Sequence, residues 1–221
     1  MIHILYRHTQ NTSGFGKNRP EWFSFNKSLD SILSSVENDD NIHFHLLYDG
    51  ECNIKDDRIN TIINFSGGND WNSYIFAWNY AKQINLEDND LIYIAENDYI
   101  HIKGWASKVL DLFKKYDSID YVSLYDHPDK YDLSIYPDLS TYILLTKDHH
   151  WRMTPSTCGS VIFGKQILNE DIDIHTTNPS DHGRFTFLKS NRQRNILTPI
   201  PSLSTHCENE WLAPIIEWNK I

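Results

Sequence analysis

The sequence predicts an α/β fold, a single domain around a central sheet that is parallel in its first half and mixed in its second. Apolar and aromatic runs at "IHILYRH", "IHFHLLYDG", "LIYIAEN" and "IDYVSLYDH" alternate with stretches of helical periodicity, the order expected of parallel strands joined by helices. After Asp126 that alternation stops. There "STYILLTKDHHWRMT" and "CGSVIFGKQIL" read as a hairpin or a strand pair of a mixed sheet. A length of 221 residues suits one sizeable core, since a domain commonly takes roughly 100 to 200 residues, and no Pro-, Gly- or Ser-rich linker divides the chain.

Taken in order, "TQNTSGFGKNRP" is an irregular loop, with Gly14 and Gly16 as its points of mobility. The first helix is expected from Pro20, a residue suited to a first helical position, with Trp22, Phe23, Phe25, Leu29, Ile32 and Leu33 toward the sheet. A second follows "SGGND", with Asp70 as its N-cap, and runs through Trp71, Tyr74, Ile75, Trp78 and Ala81. The third follows Gly104 and buries Val109, Leu110, Leu112 and Phe113, and "SDHGRFTFLKSN" is expected to form a short helix.

Composition narrows the function. Hydrophobic residues at 40% and charged residues at 23% are globular values, and a net charge of -10 without a clustered basic face argues against nucleic-acid binding. An anionic ligand would need a local cation. Cys52, Cys158 and Cys207 are widely spaced and include no CxxC pair, so neither a disulfide framework nor a zinc cage is indicated and a reducing compartment fits. The start "MIHILYRHT" has no signal-peptide pattern, and no segment approaches the roughly 20 apolar residues of a membrane span. The expectation is a cytoplasmic protein with no transmembrane segment.

In open α/β sheets, ligands bind beyond the carboxyl ends of the strands, which directs attention to Arg7, His8, Asp49, Glu96, Asn97, Asp98, Asp126 and His127. Asp49, before Gly50, either receives bonds from a base or ribose or forms an ordinary Asp-Gly turn. Glu96 and Asp98 stand two apart, so on an extended chain both carboxylates share a face. That arrangement suits magnesium or manganese, and equally a polar turn. Most of the eleven histidines read as structural, His3, His43 and His45 among them. His149 and His150 are adjacent on a strand and point apart. His206 differs, because it closes the proline-bounded segment "PIPSLSTHCE".

The order of "END", "TPSTCGSVIFGKQIL", "PSDHGRF" and "PIPSLSTH" resembles that of GT-A glycosyltransferases. More narrowly, "AENDYIH", "YDHPDKY", "STCGS" and "THCENEWLAPIIEW" resemble a small group that includes the nucleotide-sugar-binding domain of an algal-virus glycosyltransferase. The resemblance covers nearly the whole chain. It implies a Rossmann-like GT-A domain with a mixed central sheet, residues 1–126 forming the nucleotide-binding half and residues 127–221 the acceptor side. It further implies a Mn2+- or Mg2+-dependent transferase moving a hexosyl or deoxyhexosyl group from a nucleotide-diphosphate sugar to a hydroxyl acceptor, with inversion, in polysaccharide or glycan synthesis.

Carried onto this sequence, "END" takes the place of the DxD motif. Asp98 would ligate the ion, while Glu96 would touch the metal, a metal-bound water or the ribose, with Asn97 between them at the donor. Asp49 falls near the base, Arg7 and Thr9 line the nucleotide pocket, and residues 9–19 form a candidate base-reading loop. Arg152 or Lys103 would add positive charge, and His206 would complete the metal shell. Asp181 falls where inverting relatives carry the acceptor-side base, and it could equally be the N-cap of the helix beginning at His182. Two other classes use related residues. A glycoside hydrolase also pairs carboxylates around a sugar, and a carbohydrate-binding module would use some of the seven tryptophans and twelve tyrosines, although Trp22, Trp71 and Trp78 at helical spacing read as core.

Overall fold

The structure, a computed structural model, describes residues 1–9, 16–132 and 134–221; Gly14 of the N-terminal loop lies outside the described residues. In chain order the elements are β1 (Ile2–Thr9), α1 (Phe25–Ser35), β2 (Ile42–Asp49), β3 (Thr61–Phe65), α2 (Asp70–Ala81), β4 (Leu91–Glu96), β5 (Tyr99–His101), α3 (Trp105–Lys115), β6 (Tyr121–Val122), β7 (Ile143–Leu145), β8 (His150–Met153), β9 (Val161–Gly164), α4 (Lys165–Thr177), α5 (Asp181–Asn191), β10 (Ile196–Ile200) and β11 (Ser204–His206). Among the described residues, nine strands form one mixed sheet in the order β3-β2-β1-β4-β9-β6-β10-β8-β7, and β5 and β11 form a separate ribbon. This is the α/β, Rossmann-like architecture that the sequence predicts. No helix among the described residues is long and apolar enough to cross a membrane.

Alternation along each strand divides the core between the two faces of the sheet. Ile4 and Tyr6 of β1 meet Leu29, Ile32 and Leu33 of α1 and Val109 and Leu112 of α3. Leu5, one residue out of phase, meets Tyr74 and Trp78 of α2, Leu168 of α4 and Phe185 of α5. Burial on both sides explains why these strands read as nearly continuous apolar runs. Trp78 is the keystone of the second face: fully buried, it stacks on Phe163 at 4.4 Å and on the His175 ring at 3.8 Å.

Strand directions position the site. β3, β2, β1 and β4 are parallel, so their carboxyl ends emerge on one edge. β9 runs antiparallel between β4 and β6, which returns residues 157–160 to the carboxyl end of β4. The ribbon of β5 and β11 then sets His206 opposite Tyr99.

Several elements depart from expectation for local reasons. α1 begins at Phe25 and not at Pro20, because extended Ser24 accepts the Lys27 amide at 3.1 Å and so caps the helix. Residues 20–23 make only a turn, and Trp22 and Phe23 pack instead in a third small cluster with Tyr99, Tyr125 and Trp218. The cap of α2 is Asn69, one residue before Asp70. Of "IDYVSLYDH" only Tyr121 and Val122 are strand, since Tyr125 leaves the sheet to bridge Ser204. The hairpin lies within the first of the two segments proposed for it, as β7 and β8, while "VIFG" becomes β9 in the middle of the sheet. Gly104 does open α3, in the left-handed region at φ +81°.

Candidate functional site

A cavity of about 690 Å³ opens at the carboxyl ends of β1, β2 and β4. Arg7, Thr9, Asp49, Glu96, Asn97, Asp98, Asp181 and His206, all singled out in the sequence, line it. They come from β1, β2, the end of β4 with the turn that follows it, α5 and β11, five separate stretches that only the fold brings together.

Asp98 is nearly buried, and its Oδ2 gathers three partners: Lys17 Nζ at 3.0 Å, Arg19 Nη2 at 2.9 Å and His206 Nε2 at 3.0 Å. Burial works to raise the carboxyl pKa, but His206, Lys17 and Arg19 outweigh it and hold the group well below the ordinary carboxylate range. Asp98 is therefore an anion that demands cations. The backbone fixes this corner, because the Cys207 amide donates to the Asp98 carbonyl at 2.8 Å and continues the β5–β11 register.

Glu96 stands apart from that cluster. Asn97 and Asp98 form a turn between β4 and β5, so the extended geometry expected to aim Glu96 and Asp98 at one ion is lost. One Glu96 oxygen accepts from Arg7 at 2.7 Å and the other from the Ser160 hydroxyl at 2.9 Å. Arg7 also reaches the Asp70 carboxylate at 3.1 Å. Burial lifts the Glu96 carboxyl to about 7 against the pull of Arg7, and the charge of Asp98 adds to the rise. Gly159 permits this packing: a Cβ there would come within 3.3 Å of both Glu96 Oε1 and the Tyr74 ring.

Asp181 is the first residue of α5. Its cap is Ser180, whose hydroxyl accepts the Gly183 amide at 3.0 Å, so the capping role considered for Asp181 belongs to its neighbour. The Asp181 carboxylate pairs with buried Arg184, whose guanidinium lies 4.2 Å from the Tyr74 ring centroid. Burial raises its pKa, opposed by Arg184 and Arg7. Its side chain is still 41% exposed, which leaves it reachable from the cavity.

Asp49 accepts the Gly67 and Gly68 amides, one on each oxygen at 2.8 Å, and thereby shapes the β3–α2 loop. Thr9 donates to the Asp49 carbonyl at 3.4 Å, and Asn97 meets His8 at 3.1 Å. Arg152 does not line the cavity: buried, it pairs with Asp126 and lies 5.1 Å from the Tyr131 ring. Lys103 is exposed and also outside the lining. Among the described residues, Arg7, Lys17 and Arg19 bring their cationic groups to the cavity, and the last two were not anticipated. Their only sequence signal is the pair of basic residues in "GKNRP". On the same wall Trp211 lies 5.1 Å from His127, an aromatic pair that "CENEW" did not announce.

No family model matches the sequence, and no curated protein matches it. Solved structures do. A CMP:2-keto-3-deoxy-manno-octonic acid synthetase complexed with CTP matches with a TM-score of 0.51 at 9% identity, over 89% of this chain and 88% of that one. S. aureus TarS 1-349 matches with a TM-score of 0.51 at 12% identity, over 90% of this chain and 58% of that one. Its complex with UDP-GlcNAc gives 0.50 at 12%, over 89% and 55%. This chain shares their fold. It spans little more than half of the TarS fragment.

Proposed function

We propose that this chain transfers a sugar from a nucleotide-diphosphate donor to a hydroxyl acceptor of a growing glycan, with inversion. The observation that carries this reading is the meeting of Asp98 and His206 at 3.0 Å beyond the parallel strands, in a cavity that also holds an accessible carboxylate, Asp181. In this reading residues 1–126 hold the donor and residues 127–221 the acceptor.

A carboxylate oxygen beside an imidazole nitrogen is a donor set that suits Mn2+ better than Mg2+, which prefers oxygen alone. Such ions are commonly held by one or two protein groups and completed by water and substrate phosphates. Among the described residues, no group of three or more His, Cys, Asp or Glu side chains is arranged to hold a metal. Asp98 and His206 would hold it. Glu96, with both oxygens engaged by Arg7 and Ser160, serves better as the anchor that fixes Arg7. When bound, the ion supplies positive charge to the departing diphosphate.

The chain's own groups do the rest. Asp181 accepts the proton of the acceptor hydroxyl, whose oxygen attacks the anomeric carbon as the bond to the diphosphate breaks. Thr9, Asn97 and the loop that Asp49 shapes face the nucleoside. Titration of nucleoside diphosphates and triphosphates, with and without Mn2+, tests the reading. Metal-dependent binding of a diphosphate, followed by its release from the matching nucleotide sugar, is expected. A protein that binds oligosaccharides and no nucleotide would be a carbohydrate-binding module or a hydrolase instead.

A further inference from the structure

We propose that Lys17 is a tethered stand-in for the divalent ion: its ammonium occupies the position shared by Asp98 and His206, and donor binding moves it from these groups to the diphosphate. This rests on the sugar-transfer reading above. The Nζ of Lys17 lies 3.0 Å from Asp98 Oδ2 and 3.2 Å from His206 Nε2, the same two atoms that suit a metal. An ion bonded to both atoms at about 2.0–2.1 Å would take that space, and an ammonium beside a dication is repelled. The two cations are mutually exclusive.

What surrounds Lys17 shows which part can move. Asn18 is pinned through its carbonyl to the Asn209 amide at 2.8 Å and through its side chain to Asn209 Nδ2 at 2.9 Å. Arg19 is held more firmly, donating to the Cys207 carbonyl at 2.9 Å and lying 4.9 Å from the Phe23 ring. Among the described residues, the Lys17 ammonium is held by Asp98 and His206, and its side chain is 35% exposed. A long, flexible lysine can therefore swing while the backbone at residues 18–19 stays fixed. Arg19 keeps its place on Asp98 and offers the diphosphate a fixed guanidinium.

The exchange also addresses the charge balance. Before a ligand arrives, Asp98 is already paired with Lys17 and Arg19, so a dication alone has to displace the ammonium of Lys17 without offering it another partner. Metal with diphosphate brings its own negative charge and gives Lys17 a new partner. Metal alone should bind weakly to the parent protein, and metal with diphosphate tightly.

The test uses Mn2+ and inorganic pyrophosphate, which needs no knowledge of base or sugar, with calorimetry and the spin-resonance signal of free Mn2+ as readouts. Lys17→Met should bind Mn2+ alone about tenfold more tightly than the parent, and metal-free pyrophosphate about tenfold more weakly. Lys103→Met, which removes a charge outside the cavity, should change neither. Equal Mn2+ affinity in Lys17→Met and parent overturns the stand-in role even where both bind Mn2+ with pyrophosphate, and leaves the transferase reading intact. If neither protein binds Mn2+ even with pyrophosphate, the metal assignment of Asp98 and His206 falls, and this inference with it. Unchanged melting temperature in Lys17→Met separates these outcomes from misfolding.

Discussion

Nε2 of His206 lies 3.0 Å from Oδ2 of Asp98, although 108 residues separate them in the chain. The register that places Tyr99 opposite His206, together with the Cys207 amide on the Asp98 carbonyl, sets that distance. Asp98→Asn keeps the shape of the corner and removes its charge. Mn2+-dependent affinity for a nucleoside diphosphate should fall about 10- to 100-fold, the scale of charge-assisted hydrogen bonds. His206→Ala should act in the same direction and more weakly. Overlapping titrations of Asp98→Asn and parent would remove Asp98 from the site.

Asp181 and Ser180 are neighbours with separable duties. Asp181→Asn should bind donor normally, lose some stability because buried Arg184 loses its charge partner, and transfer sugar about 100-fold more slowly or worse, as loss of a positioned base does. Ser180→Ala should instead cost about 1 kcal/mol of stability, by loss of the cap. Parental turnover in Asp181→Asn would exclude it as the base, and a product with retained anomeric configuration would exclude single displacement.

The buried histidines of β1 and β2 make stability depend on pH. Burial, with the charges of His43 and His3 adding, lowers His45 from its ordinary 6.5 to about 3, and burial lowers His3 as well. Between pH 6.5 and 3 the unfolded chain binds more protons than the folded one, so this stability is present above 6.5 and is lost as the pH falls. For His45 the slope is about 1.4 kcal/mol per pH unit across that window, and His3 contributes in the same direction. His45→Gln should flatten the melting profile by about one histidine's share across that window. A profile parallel to the parent's would mean that His45 is not held neutral.

Trp78 fills the second face of the sheet, stacked on Phe163 and His175. Trp78→Ala should cost about 3–5 kcal/mol, as large-to-small core changes do, measurable by denaturant unfolding. A change below about 1 kcal/mol would show that the helices on this face collapse onto the gap.

Several central strands and many of the cavity's polar residues were legible in the sequence because both leave periodic or ordered marks. Strands buried on both faces read as apolar runs, and the polar residues that end them are conspicuous. β3 was missed because it is an edge strand, buried on alternate residues only partly, and it sits among turn residues. Lys17 and Arg19 were missed for a different reason. Charged residues in an irregular loop are usually solvated, and nothing local tells that Asn209 and Cys207 hold this one against Asp98. Arg152 misled in the opposite way, since a basic residue on a strand gave no sign of the buried Asp126 that takes its charge.

The insertion of β9 between β4 and β6 has a consequence for biosynthesis. While a nascent chain emerges, β4 can zip onto β1, but its other edge must wait for Val161 and the residues after it. At about 5–20 residues per second the ribosome needs several seconds to deliver them, and throughout that time an apolar strand presents unpaired backbone groups to its surroundings. The middle of the sheet is thus closed late and out of order, by a segment that must slide between two others. Slow, non-local pairing of this kind is where a growing chain is most open to aggregation or to capture by a chaperone.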